Sequence, residues 1–151
     1  MLHVALLEPE IAPNVGNIGR LCAATGAALH LIGRLGFRLD DRSLRRAGLD
    51  YWPAVEVHRH ADLAAFETAL AVARTFCFSA HAATPYTQAA YQDGDCLLFG
   101  SESQGLPPGL LRRHAGHTLT IPMPAGRVRS LNLATAVGIA LYEALRQVHG
   151  W

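Results

Sequence analysis

"APNVGNIGRLCAATG", residues 12–26, decides how this chain is read. It follows the short apolar run "HVALL" (3–7) and holds three glycines, two asparagines and a single arginine, Arg20. Ile18, Leu21, Cys22 and Thr25 recur at helical spacing and stop at Gly26, so a strand passes through a turn into a helix. The turn ends near Asn17, a residue type suited to capping, with Arg20 one turn further in. Two phosphate-binding readings fail. The dinucleotide fingerprint needs G-x-G-x-x-G directly after the strand, and Gly16, Gly19 and Gly26 lack its first G-x-G. The phosphate loop of nucleotide hydrolases needs G-K-[ST], and the chain contains no lysine. What remains is either a surface arginine on an ordinary turn or part of an active site.

The same alternation continues outward. "ALHLI" (28–32), "AVEVH" (54–58), "TFCFSA" (75–80), "DCLLFG" (95–100) and "HTLTIPM" (117–123) read as strands. The third and fourth are continuous apolar runs, as expected of strands covered on both faces. "DDRSLRRAG" (40–48), "ADLAAFETALAVA" (61–73) and "PPGLLRRHA" (107–115) read as helices. "SLNLATAVGIALYEALRQV" (130–148) reads as a long closing helix with Ala134, Val137, Gly138, Leu141, Leu145 and Val148 on one stripe. The pattern predicts a single α/β domain over 1–151 with a mostly parallel sheet flanked by helices. In such sheets ligands bind beyond the carboxyl ends of the strands, so the loops after Leu7, Ala80, Gly100 and Met123 are where chemistry belongs.

Composition narrows the function classes. Of 151 residues, 50% are hydrophobic and 17% charged, which leaves apolar surface to bury between subunits. No run approaches the roughly 20 apolar residues of a membrane span, and "MLHVALLEPE" does not read as a signal peptide. Cys22, Cys77 and Cys96 lie far apart in apolar contexts and read as buried thiols of a reducing compartment, so a cytoplasmic location is expected. The absence of lysine excludes Schiff-base chemistry. All 13 basic residues are arginine, and six of them fall between positions 20 and 46. That cluster is either a solvated helix face or a phosphate-contacting one. The eight histidines show no zinc-type spacing, and no metal is expected.

Two further loops carry polar clusters. "FGSESQGLP" (99–107) is one residue too long for a hydrolase elbow. Its Gly100 and Gly105 mark either a simple glycine-rich connection or backbone pressed close to a ligand. "IPMPAGRVRSLNLATA" (121–136) is stiffened by Pro122 and Pro124, and Ser130 or Asn132 can cap the last helix.

Together, "NVGNIGRLCAATG", "LLFGSESQGLP" and "IPMPAGRVRSLNLATAVGIALYEALRQ", in this order and spacing, resemble the SPOUT superfamily of RNA methyltransferases. The resemblance covers residues 2 to 148. "EPEIAPN", "LGFRLDD" and "RRAGLDYW" are similar to its minimal branch, which methylates the ribose 2′-hydroxyl of the tRNA wobble nucleotide, a cytidine or modified uridine. The resemblance implies a deep C-terminal trefoil knot, S-adenosylmethionine as methyl donor without a metal, a homodimer formed through the first and last helices, and the tRNA anticodon arm as partner. It also implies roles by residue. Phe78, Ser79, Gly100, Ile121 and Ser130 would line the cofactor pocket, with Gly105 and Leu131 close by. Arg20 would be the proton acceptor or its organiser, and Asn14, Glu102, Ser130 and Asn132 would orient the ribose or the arginine. Arg20, Arg42, Arg45, Arg46, Arg129 and Tyr142 would hold RNA. The chain departs from many members at Ala134, where they carry serine, and at Arg127. The alternatives are a 2′-O-methyltransferase for another tRNA or rRNA position and a catalytically silent RNA-binding dimer.

Overall fold

In a computed structural model, which describes residues 1–40, 42, 50–71 and 73–151, seven parallel strands form one sheet. Their order is β3-β2-β1-β6-β4-β7-β5. The strands are β1 (His3–Leu7), β2 (Ala28–Ile32), β3 (Val57–His60), β4 (Thr75–Phe78), β5 (Thr84–Pro85), β6 (Cys96–Phe99) and β7 (Thr118–Thr120). The helices are α1 (Ala12–Thr25), α2 (Leu63–Ala69), α3 (Pro108–Arg113) and α4 (Leu133–His149). Of the helix expected over 40–48, residues 41 and 43–48 lie outside the described residues, Arg45 and Arg46 among them.

The continuous apolar runs have the meaning expected of them. Along β6, Leu97 and Phe99 face a core shared with α1 and α4, while Cys96 and Leu98 face a second core with α2 and α3. Val4 and Leu6 against Ala5 and Leu7 divide β1 the same way. Val137, Ala140, Leu141, Ala144 and Leu145 of α4 are buried. All three thiols are free and buried, and desolvation raises those of Cys22 and Cys77 to about 12. At the amino ends of the strands, the nearly buried Asp95 takes Nε and Nη2 of Arg74 at 2.9 and 2.7 Å.

β7 sits between β4 and β5, two strands joined directly by residues 79–83. Later chain therefore enters between two earlier, consecutive strands. This arrangement is consistent with the expected knot.

Several boundaries differ from expectation. α1 begins at Ala12, not near Asn17, because Pro13 suits the first turn of a helix and an acid from another loop serves its amino end. Residues 52–54 form a short 3₁₀ turn, closed by Ala54 N–H to Tyr51 C=O and Val55 N–H to Trp52 C=O, so the strand starts only at Val57. α2 ends at Ala69, and β7 keeps only three of the seven residues assigned to it. β5, two residues long, has no sequence signature.

Four histidines meet on one sheet face. His30, 3% exposed, bonds His3 at 3.0 Å and His60 at 2.9 Å through its two ring nitrogens, while the His58 ring stacks on it with centroids 4.8 Å apart. Desolvation, reinforced by the neighbouring imidazoles, holds His30 down at about 3.

Candidate active site

The loops after β1, β6 and β7 leave the same end of the sheet, with β6 beside β1 and β7 one strand beyond β4. Glu102 joins the first two. Its Oε1 accepts Glu10 N–H at 2.9 Å, and its Oε2 accepts Ile11 N–H at 2.8 Å and Asn14 Nδ2 at 3.1 Å. Ile11 is the N-cap of α1 and has no polar side-chain atom to offer. A carboxylate from 91 positions away therefore satisfies amides at this helix start and complements its positive end. Glu10 returns the contact, its Oε1 accepting Ser103 N–H at 2.9 Å and Ser103 Oγ–H at 2.5 Å. Those bonds lower the Glu10 carboxyl below its usual range.

Asn14 carries the connection to the third loop. It is 6% exposed, and its Oδ1 accepts Asn132 Nδ2–H at 3.0 Å. Asn132 Oδ1 in turn accepts Thr135 N–H at 3.1 Å and so caps α4, the choice left open between it and Ser130. In the chain Glu102–Asn14–Asn132–Thr135 the oxygen and the nitrogen of each asparagine amide have a partner, which fixes its orientation.

Three of the five residues expected to be catalytic are thus brought together: Asn14, Glu102 and Asn132. Ser130 lies on an exposed loop and takes no part in these bonds. Arg20 lies about 120° around α1 from Asn14, as six residues of helix dictate. It is exposed, and its guanidinium carbon stands over the Tyr51 ring, 5.9 Å from the centroid. The Tyr51 hydroxyl donates a close hydrogen bond to the Gly16 carbonyl. Trp52 covers Gly19 so closely that a Cβ there would lie 2.5 Å from a ring carbon. Of the glycines of the opening stretch, Gly19 makes room for this docking, while Gly26 ends α1 at φ +77°.

Of the residues expected to line a cofactor pocket, Phe78 stacks on the ring of Phe99, centroids 4.7 Å apart, where β4 and β6 end. Ser79 N–H donates to Leu119 C=O, and its hydroxyl accepts from His81 N–H at 3.2 Å, closing a turn. Ile121 and Leu131 are half-buried. At Gly100 a Cβ would meet the chain's own backbone, 2.0 Å from Gly105 C and 2.4 Å from Leu106 N, so the turn itself requires a glycine there. Gly105 differs, with φ +65° and open space within 4 Å. Arg42 and Arg129 are exposed, and Tyr142 is 47% exposed on α4. Two cavities of about 220 and 320 Å³ lie elsewhere, beside Phe66 and Arg113 and beside Leu2 and Leu145. Among the described residues no group of three or more His, Cys, Asp or Glu side chains could hold a metal ion, and no helix is long and apolar enough to cross a membrane.

Sequence reasoning missed Glu10, Ser103, Tyr51 and Trp52. Glu10 repeats the acid-loop chemistry of Glu102 across the gap, a pairing visible only once β1 and β6 are known to be neighbours.

Comparison with known proteins places this geometry. Residues 1–142 match the SpoU rRNA Methylase family. The chain is 47% identical over 149 residues to a tRNA (cytidine(34)-2'-O)-methyltransferase of Escherichia coli (strain K12), covering 98% of this chain and 94% of that one. A solved structure reported as "Structural insights into the 2-OH methylation of C/U34 on tRNA" superposes with a TM-score of 0.93 at 54% identity, covering 100% of this chain and 98% of that one. An AdoMet-bound rRNA methyltransferase from Sinorhizobium meliloti superposes with a TM-score of 0.82 at 33% identity, over 96% of this chain and 56% of that one. With three loop motifs joined by one hydrogen-bonded chain and a family match over nearly its whole length, this protein belongs to the SpoU rRNA Methylase family.

Proposed function

We propose that this protein transfers a methyl group from S-adenosylmethionine to the ribose 2′-hydroxyl of the wobble nucleotide of tRNA, a cytidine or modified uridine. The observation that carries the reading is the Glu102–Asn14–Asn132 connection, which locks the three motif loops into one unit at the carboxyl end of the sheet. Similarity over nearly the full length, at 47% identity, to a tRNA (cytidine(34)-2'-O)-methyltransferase supports the substrate.

The residues present fit an adenosine-bearing cofactor. Half-buried Ile121 and Leu131 offer apolar contact, and Gly105 leaves its α-carbon open to close approach. Phe78, Ser79, Gly100 and Ser130 complete the set that would hold it. When bound, S-adenosylmethionine supplies an electrophilic methyl on a sulfonium with a good thioether leaving group. The protein's share is to hold the weakly nucleophilic hydroxyl in line and to provide for its proton. A guanidinium stays protonated at neutral pH, so Arg20 serves as a fixed cation that holds an RNA phosphate beside the ribose, and a phosphate oxygen receives the proton. Glu102 has both oxygens engaged by three donors and acts as the brace of the site. Arg42, Arg129 and Tyr142 extend the surface toward the anticodon arm. Exposed Tyr142, with the Trp151 ring 6.4 Å away, supports a homodimer that uses α4. The enzyme works in the cytoplasm, where its substrate is.

The test incubates purified protein with methyl-labelled S-adenosylmethionine and separate pools of tRNA and rRNA, then maps the label. Label on the tRNA wobble ribose is expected. Label confined to rRNA, or no transfer, contradicts the proposal.

A further inference from the structure

Arg20 is exposed on α1, and a long flexible side chain in that position would sample many directions. The structure supplies a device against this. The Tyr51 ring lies under the guanidinium at 5.9 Å, within the range where an aromatic face attracts a cation. The plate is itself fixed at two points. Its hydroxyl is tied to the Gly16 carbonyl, the i−4 position that receives the Arg20 amide in a helix. Next to it, Trp52 is seated on Gly19, where any side chain would collide. The turn is closed by Ala54 N–H to Tyr51 C=O at 2.9 Å and Val55 N–H to Trp52 C=O at 3.0 Å. One tyrosine thus spans a single helical turn, bonded to residue 16 and stacked on residue 20.

We propose that Tyr51 is a positioning residue that sets the direction of the Arg20 guanidinium toward the RNA. The inference rests on the reading of Arg20 as the cation facing the ribose-phosphate, and deepens it. Tyr51 contributes no proton and touches no substrate; it removes the cost of ordering Arg20 at each turnover.

The test measures kcat and KM for tRNA in Tyr51→Ala, Tyr51→Leu, Tyr51→Phe, Arg20→Ala and the Tyr51→Ala/Arg20→Ala double variant. The Arg20 side-chain Nε–H resonance is followed in the variants that retain it. Loss of the plate is expected to lower kcat about three- to ten-fold, the scale of one cation–π contact, with KM changed less than about two-fold. Tyr51→Phe keeps the plate and most of the activity. Tyr51→Leu keeps bulk against α1 without an aromatic face and should resemble Tyr51→Ala, which separates the effect from local misfolding. The Arg20 resonance is expected to carry a ring-current shift in the native protein and in Tyr51→Phe, and to lose it in Tyr51→Leu. In the Arg20→Ala background, Tyr51→Ala should cost nothing further. An additive loss, or an Arg20 resonance indifferent to residue 51, overturns the proposal. If Arg20→Ala abolishes activity while Tyr51→Ala and Tyr51→Leu retain it in full, this inference alone fails. If Arg20→Ala retains full activity, the reading of Arg20 fails and takes this inference with it.

Discussion

Gly100 and Gly105 look alike in the sequence and do different work. A methyl group on Gly100 would lie 2.0 Å from the Gly105 carbonyl carbon, with backbone on the other side that cannot swing away. Gly105 needs its left-handed φ of +65° but has room for a side chain. Gly100→Ala should therefore destabilise the protein by about 3 kcal/mol through overpacking, and Gly105→Ala by about 1 kcal/mol through backbone strain. Urea unfolding of the two variants checks the order, and a larger loss for Gly105→Ala would contradict it. The two glycines stood out in the sequence, but their division of labour depends on how the loop folds back on β6. Asn17 shows the reverse case. It has the composition of a cap, yet the helix begins five residues earlier because the partner of its amino end, Glu102, is distant in sequence.

At the scale of elements, the loops depend on one another. Removing one acceptor from Glu102 leaves an amide at the start of α1 without its partner and weakens the hold on Asn14. Glu102→Gln should cost about 1 kcal/mol of stability, the usual worth of such a bond, and should lower methyl transfer by more than stability alone accounts for. Unchanged activity at unchanged stability would show that the brace is dispensable. β1, β2, β4 and β6 were legible as elements because strands covered on both faces form short, largely apolar runs. β3, "VHRH", lies at an edge and carries polar residues, so its boundary slipped by several positions. The site's residue types were legible through three motif loops. The hydrogen bonds from Glu102 to Glu10, Ile11 and Asn14 were not, because they follow from strand adjacency.

For the whole molecule, the histidine ladder makes stability depend on pH. In the unfolded chain His30 takes up a proton near pH 6.5, whereas in the fold it stays neutral down to about 3. The unfolded state binds more protons throughout that window, so the stabilisation is full above 6.5 and is lost as pH falls. His3, His60 and His114 are lowered in the same direction. The lowered carboxyls, including Glu143 at about 2, act only below about pH 4.5. Between pH 6.5 and 4.5 the histidines therefore dominate, and His30 alone should account for about 2 kcal/mol. Urea unfolding at the two pH values should show this loss in the native chain and a smaller one in His30→Phe; equal slopes would contradict it.

The proposed acceptor of the methyl group is the 2′-oxygen of the wobble ribose. This assignment is tested most directly with two tRNA transcripts that differ in one atom, the 2′-oxygen of nucleotide 34, each incubated with protein and methyl-labelled S-adenosylmethionine. Label is expected on the transcript with the ribose and none on its 2′-deoxy counterpart. Equal labelling of both, or labelling of neither, would contradict it.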